Sequence, residues 1–96
     1  MTRSGTFNEK WWNQWRQYKT RQGARAYAKK HTGVWCIIEM DDSLVSAKEK
    51  RDLGHWLVGR ADEYLFYQAR FPDFDEKWPV REWWHNGVCL KILDES

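Results

Sequence analysis

Three histidines, two cysteines and scattered carboxylates are the side chains here that could transfer protons, attack as nucleophiles or hold a metal. His31, His55 and His85 stand in no His-x-x-x-His, His-x-x-Glu or His-Glu-x-x-His pattern, so no helix face would bring two ligands to one ion. His31 falls at a predicted helix end, where the helix dipole favours an imidazolium and a capping role. Cys36 or Cys89 with His85 would make a nucleophile and its base. Both cysteines fall in predicted strands, however, where an unpaired thiol packs as a small hydrophobe. A zinc site built on two thiols and one imidazole lacks its fourth ligand. Among the acids, Asp41 and Asp42 follow a predicted strand, and Asp73, Asp75 and Glu76 share a predicted loop. A metal-dependent nuclease would add a Glu-x-Lys on an adjacent strand, and the sequence contains none. Gly54 and Gly59 lie inside a helical pattern, not in the strand–loop–helix turn that cradles phosphate. The expectation is a protein with no catalytic residues, no cofactor and no metal.

Binding chemistry is better represented. The run Trp11-Trp12-Asn13-Gln14-Trp15-Arg16-Gln17-Tyr18-Lys19-Thr20-Arg21 interleaves aromatic and basic side chains. On a helix, Trp11, Trp15 and Tyr18 share the core stripe, and Trp12 lies about 100° away beside Lys19. Residues 1–31 hold eight basic side chains against Glu9 alone, a net of +7. The remainder holds eight basic and thirteen acidic residues, a net of −5. Such asymmetry predicts either a basic face aimed at a partner or two halves that neutralise each other. The predicted contact surface is Trp12, Arg16, Lys19, Arg21, Arg25, Lys29 and Lys30. Tryptophan, tyrosine and arginine dominate protein-binding hot spots, so a protein or nucleoprotein partner comes first. The same types would also stack bases and hold phosphates, which makes nucleic acid the second reading. A pI near 8.6 and the lack of a helix-turn-helix, RNP-like or zinc signature weigh against it. A homodimer is a further reading, since exposed tryptophan could be buried across a two-fold axis.

The predicted function is therefore a non-enzymatic protein-interaction module, an inhibitor or adaptor of a host or cellular protein. In general character the chain is similar to the small accessory proteins that phages and mobile elements direct against host machinery, anti-CRISPR proteins among them. That likeness is one of size and composition, and no motif carries it.

The elements that would position these residues follow from periodicity and caps. Phe7, Trp11, Trp15 and Tyr18 form one helical stripe, with Thr6 and Glu9 as a capping box. The stripe resumes, rotated, at Ala24, Tyr27, Ala28 and His31, which predicts a break near Gly23. Val34–Met40 is apolar on both faces apart from Glu39, as in a strand covered on both sides. Asp41, Asp42 and Ser43 offer caps, Ser46 and Glu49 form another capping box, and a long helix is predicted to run to about Arg70, ahead of Pro72. Residues 72–79 read as a loop with one helical turn near Asp75–Trp78. Val80–Trp84 and Val88–Leu93 flank Asn86-Gly87, the favoured hairpin pair. A two-residue turn there pairs Trp84 with Cys89, Trp83 with Leu90 and Glu82 with Lys91. It also puts Trp83, Val88, Leu90 and Ile92 on a core face. The predicted fold is α+β, in the order α-β-α-β-β: a small three-stranded, mainly antiparallel sheet against two long helices.

At 96 residues the chain is expected to form one domain, 1–96, with residues 1–6 as a mobile leader. No export signal or long apolar run is apparent, so the cytoplasm is the expected compartment, no membrane is an expected partner, and the thiols are expected to be reduced.

Overall fold

The computed structural model describes residues 15–40 and 45–93. The predicted leader, the helical stripe over residues 7–14 (Trp12 included) and the caps at Asp41, Asp42 and Ser43 lie outside those residues.

Within them the chain runs β1 (Arg16–Tyr18), α1 (Arg21–Lys30), β2 (Val34–Glu39), α2 (Ala47–Asp52), β3 (Trp56–Arg60), α3 (Ala61–Arg70), α4 (Phe74–Lys77), β4 (Val80–His85) and β5 (Val88–Ile92). The strands form one antiparallel sheet in the order β1-β3-β2-β4-β5. The class is α+β, as expected. The described residues hold five strands and four helices, which corrects the predicted three-stranded sheet with two long helices.

Two segments predicted as helix are strand. Arg16–Tyr18 pairs with Trp56–Val58, so the helix continues only from Arg21. Thr20 caps it, its hydroxyl accepting the Gly23 amide at 3.0 Å, and Gly23 lies in the first turn instead of at a break. The long helix predicted up to Arg70 is interrupted by β3. Its first part starts where expected, with the Ser46 hydroxyl accepting the Glu49 amide at 3.1 Å. It then stops at Leu53, because Gly54 takes the left-handed conformation (φ 91°) that closes many helices. Trp56-Leu57-Val58-Gly59 then extends as strand. A short apolar run of this kind reads as either type until its neighbours choose.

Residues alternate across the central strand, and both faces are covered, as predicted for β2. Trp35 and Ile37 pack with Val58 and Trp84 beneath Ala24 and Ala28 of α1. Cys36, Ile38 and Met40 pack on the other face with Leu57, Tyr64, Tyr67 and Phe74, from β3, α3 and α4. No helix among the described residues is long and apolar enough to cross a membrane.

The hairpin turns at Asn86 (φ 51°) and Gly87 (φ 82°), the pair of positive values its two-residue loop requires. Trp84 faces Cys89 as predicted, but a bulge then shifts the ladder, so Trp83 faces Lys91 and Glu82 faces Ile92. The predicted pairs Trp83–Leu90 and Glu82–Lys91 are thereby corrected. So is the predicted core face. Trp83 is half-buried against the α3 side, whereas Val88, Leu90 and Ile92 are 61%, 60% and 51% exposed. All three lie on β5, the last strand in the sheet order among the described residues.

Across the sheet from α1, Trp15 lies over Gly59, where a Cβ would come within 2.5 Å of the indole. Its Nε1 donates to the buried Glu63 carboxylate at 2.7 Å. Burial pushes the Glu63 carboxyl up, more than the Trp15 hydrogen bond holds it down. A raised folded-state value stabilises the protonated form; that contribution is complete below the unfolded pKa and is lost as pH rises through the folded one. Glu63→Gln keeps an acceptor and removes the buried charge, so urea unfolding at neutral pH is expected to show equal or higher stability. Glu63→Ala strands the indole N–H and is expected to cost about 1–3 kcal/mol.

Candidate functional site

The basic residues singled out in the sequence divide into two groups once α1 is laid on the sheet. At about 100° per residue, Ala24 and Ala28 face the sheet and Arg21 and Arg25 flank them. Gln22, Ala26, Lys29 and Lys30 point to solvent.

Arg21 and Arg25 reach inward to Glu82 on β4, whose side chain is fully buried. The Arg21 Nε donates to Oε2 at 2.5 Å. The Arg25 Nε lies 2.8 and 3.0 Å from the two oxygens. The Trp84 Nε1 donates to Oε1 at 2.9 Å. Burial pushes the Glu82 carboxyl up, but the hydrogen bonds from Arg25, Trp84 and Arg21 together outweigh it and hold the group below its ordinary value. The hydrogen bond to Glu82 likewise holds Arg25 in its charged form. The Arg21 guanidinium also lies 5.2 Å from the Trp56 ring centroid, within cation–π range. These two arginines fasten α1 to the sheet. The available signal for such a partner was an acid beside Trp83 and Trp84 in the predicted strand Val80–Trp84, which the expected register pairs with Lys91.

Lys29 and Lys30 close the helix with exposed ammonium groups, favourably placed at the negative end of its dipole. Arg16 and Lys19 are exposed at the other end, the Arg16 guanidinium 5.9 Å from the Tyr27 ring centroid. Of the seven predicted contact residues, Trp12 is outside the described residues. Arg25, Lys29 and Lys30 come together at one place.

That place is a groove of about 530 Å³ between α1 and the hairpin, lined by Gln22, Arg25, Ala26, Lys29, Lys30, Trp84, Cys89 and Ile92. Its helical wall is cationic, and its floor is apolar. The hairpin tip is pinned to the chain after α1. The Asn86 amide donates to the Gly33 carbonyl at 2.9 Å, and the Asn86 side chain accepts the Gly33 amide at 2.7 Å. A Cβ on Gly87 would lie 2.7 Å from the Lys29 carbonyl oxygen, so the turn touches the helix end. The volume falls within the range of small-ligand clefts.

Compared with protein-family models, curated proteins and solved structures, the chain matches none of them.

Among the described residues, the side chains with catalytic potential are dispersed. The Cys36 thiol is buried on the α3 side, and burial pushes its pKa well up. Cys89 lines the groove on the α1 side. The His31 Nδ1 lies 2.7 Å from the Tyr27 carbonyl, and its ring stacks on Tyr27. The His85 Nε2 lies 3.2 Å from the Asn86 amide nitrogen at the turn. His55 and Arg81 both approach Glu39, at 3.3 and 3.1 Å. Among the described residues, the side chains that meet in this cluster are Glu39, His55 and Arg81. Among the described residues, no three histidine, cysteine or acidic side chains are grouped to hold a metal.

Proposed function

We propose that this chain is a non-enzymatic protein-interaction module that occupies an acidic surface of a partner protein or nucleoprotein, as an inhibitor or adaptor does. A small accessory protein directed at host machinery is one form such a module takes. The observation that carries the reading is the exposed Lys29–Lys30 flank beside an apolar floor, on a helix held rigid by Arg21, Arg25 and Glu82. Rigid presentation lowers the ordering cost of binding, and a cationic rim steers an acidic partner.

Nucleic acid fits this face less well. Two of its arginines share a buried carboxylate. The six described tryptophans are all buried or half-buried, which leaves them little ring surface on which bases could stack.

The test is capture from a nuclease-treated cell extract by the tagged chain and by its Lys29→Glu/Lys30→Glu variant. A specific protein partner is expected to survive nuclease treatment. Its retention should fall about tenfold or more in the variant, about 1.4 kcal/mol. Lys48→Glu/Lys77→Glu, placed on α2 and α4, should leave retention unchanged. Capture abolished by nuclease, with affinity falling against log salt at a slope near −0.9 per phosphate, would put nucleic acid in the partner's place.

A further inference from the structure

The groove has features that a cationic patch alone would not need. We propose that it takes an extended acidic–apolar segment of a partner protein, an apolar side chain seating on Trp84, Cys89 and Ile92 while flanking carboxylates meet Lys29 and Lys30. This rests on the protein-binding reading above and names what that surface accepts.

Charge complementarity is the first argument. The helical wall carries Lys29 and Lys30 with exposed ammonium groups, and Arg25 remains 38% exposed beyond its pairing with Glu82. The floor is the second. Ile92 on β5 is 51% exposed although it faces the α1 side, and it continues the apolar surface of the Trp84 indole. Carboxylates alone would leave that surface wet, and an apolar side chain alone would ignore the lysines. A segment carrying both satisfies both.

The hairpin bulge decides how the segment docks. Leu90 is the extra residue between the Trp84–Cys89 and Trp83–Lys91 pairs, and it breaks the regular edge that an added strand would need. The bulge also returns Ile92 to the same face as Cys89, so side chains and not a backbone ladder form the docking surface.

The test titrates 15N-labelled full-length protein with two blocked hexapeptides, one alternating glutamate with leucine and one alternating glutamate with serine. Saturable shifts are expected at the Ala26 and Lys29 amides and at the Trp84 indole, with the leucine peptide at least tenfold tighter. Ala26→Trp, which fills the groove from an exposed helical position, should abolish those shifts, and Ile92→Lys should weaken them tenfold with the fold intact. Equal affinity for both peptides would overturn the groove assignment while leaving the charged surface as the interface. Shifts confined to other residues, or none, would also overturn it. Concentration-dependent self-association that excludes the leucine peptide would assign the groove to a second copy of this chain instead.

Discussion

Glu82→Ala is expected to lower the unfolding free energy by about 3–5 kcal/mol, the range for removing one partner of a buried ion pair. The carboxylate is fully buried and accepts from Arg21, Arg25 and Trp84. Its loss leaves the Trp84 indole N–H, itself in a buried residue, without its partner and two guanidiniums facing each other. Both arginines retain some exposure and can turn to water, which favours the lower end of the range. Glu82→Gln keeps one acceptor and should cost about 1–3 kcal/mol. The pH dependence has a definite sign. A carboxyl held below its ordinary value contributes stability that is present above the unfolded pKa of about 4.3 and is lost as pH falls through the folded value. Urea midpoints from pH 7 down to pH 3 should therefore drop more steeply for the natural protein than for Glu82→Gln. Parallel curves would mean that the Glu82 carboxyl titrates alike in the folded and unfolded chain, and a natural protein that gained on Glu82→Gln as pH fell would mean that the carboxyl is protonated in the folded chain.

Gly54→Ala should be nearly as damaging, for a reason unrelated to charge. Gly54 combines φ 91° with close approach to the β1–α1 connection, so an added Cβ would run into the Tyr18 carbonyl oxygen and the Lys19 Cα. Those atoms are backbone and cannot rotate away. Left-handed strain of about 1–3 kcal/mol adds to overpacking of about 1–3 kcal/mol, so a total loss of about 2–6 kcal/mol is expected. Gly33→Ala provides the internal control. Gly33 has nearly the same φ, 95°, but its added Cβ would meet nothing closer than 3.8 Å, so only the strain should be felt. Thermal unfolding of the two variants measures the difference. If they fell by the same amount, the contact between Gly54 and the chain after β1 would not be a tight one.

The parts legible in the sequence were those whose cause is local. Asn86-Gly87 requires two positive φ values, and no partner is needed to see it. Ser46 and Glu49 cap a helix start from within one turn. Val34–Met40 shows by composition alone that both of its faces are covered. The missed elements are decided across the chain. Trp56-Leu57-Val58-Gly59 becomes strand because β2 and β1 lie on either side of it, and Arg16–Tyr18 follows because β3 offers an edge. Glu82 looked like the cross-strand mate of Lys91, four residues beyond a turn. It instead serves arginines 61 and 57 residues away. At the candidate site, the cationic stretch was visible, but which cations stay exposed was not. That division depends on which flank of α1 meets β4, and helical periodicity gives the flanks without giving the neighbour.

The Leu90 bulge also bears on what the edge of this sheet can offer to another strand. An antiparallel sheet with an open border is a template for its own extension, and among the described residues β5 is such a border, five residues long with three apolar side chains more than half exposed. The opposite border, β1, is only three residues long. One inserted residue, followed directly by the charge of Lys91, interrupts the run of outward N–H and C=O groups that fibrous assembly would copy. The irregularity that defeats a simple reading of the hairpin thus also makes this apolar margin a poor template for an added strand.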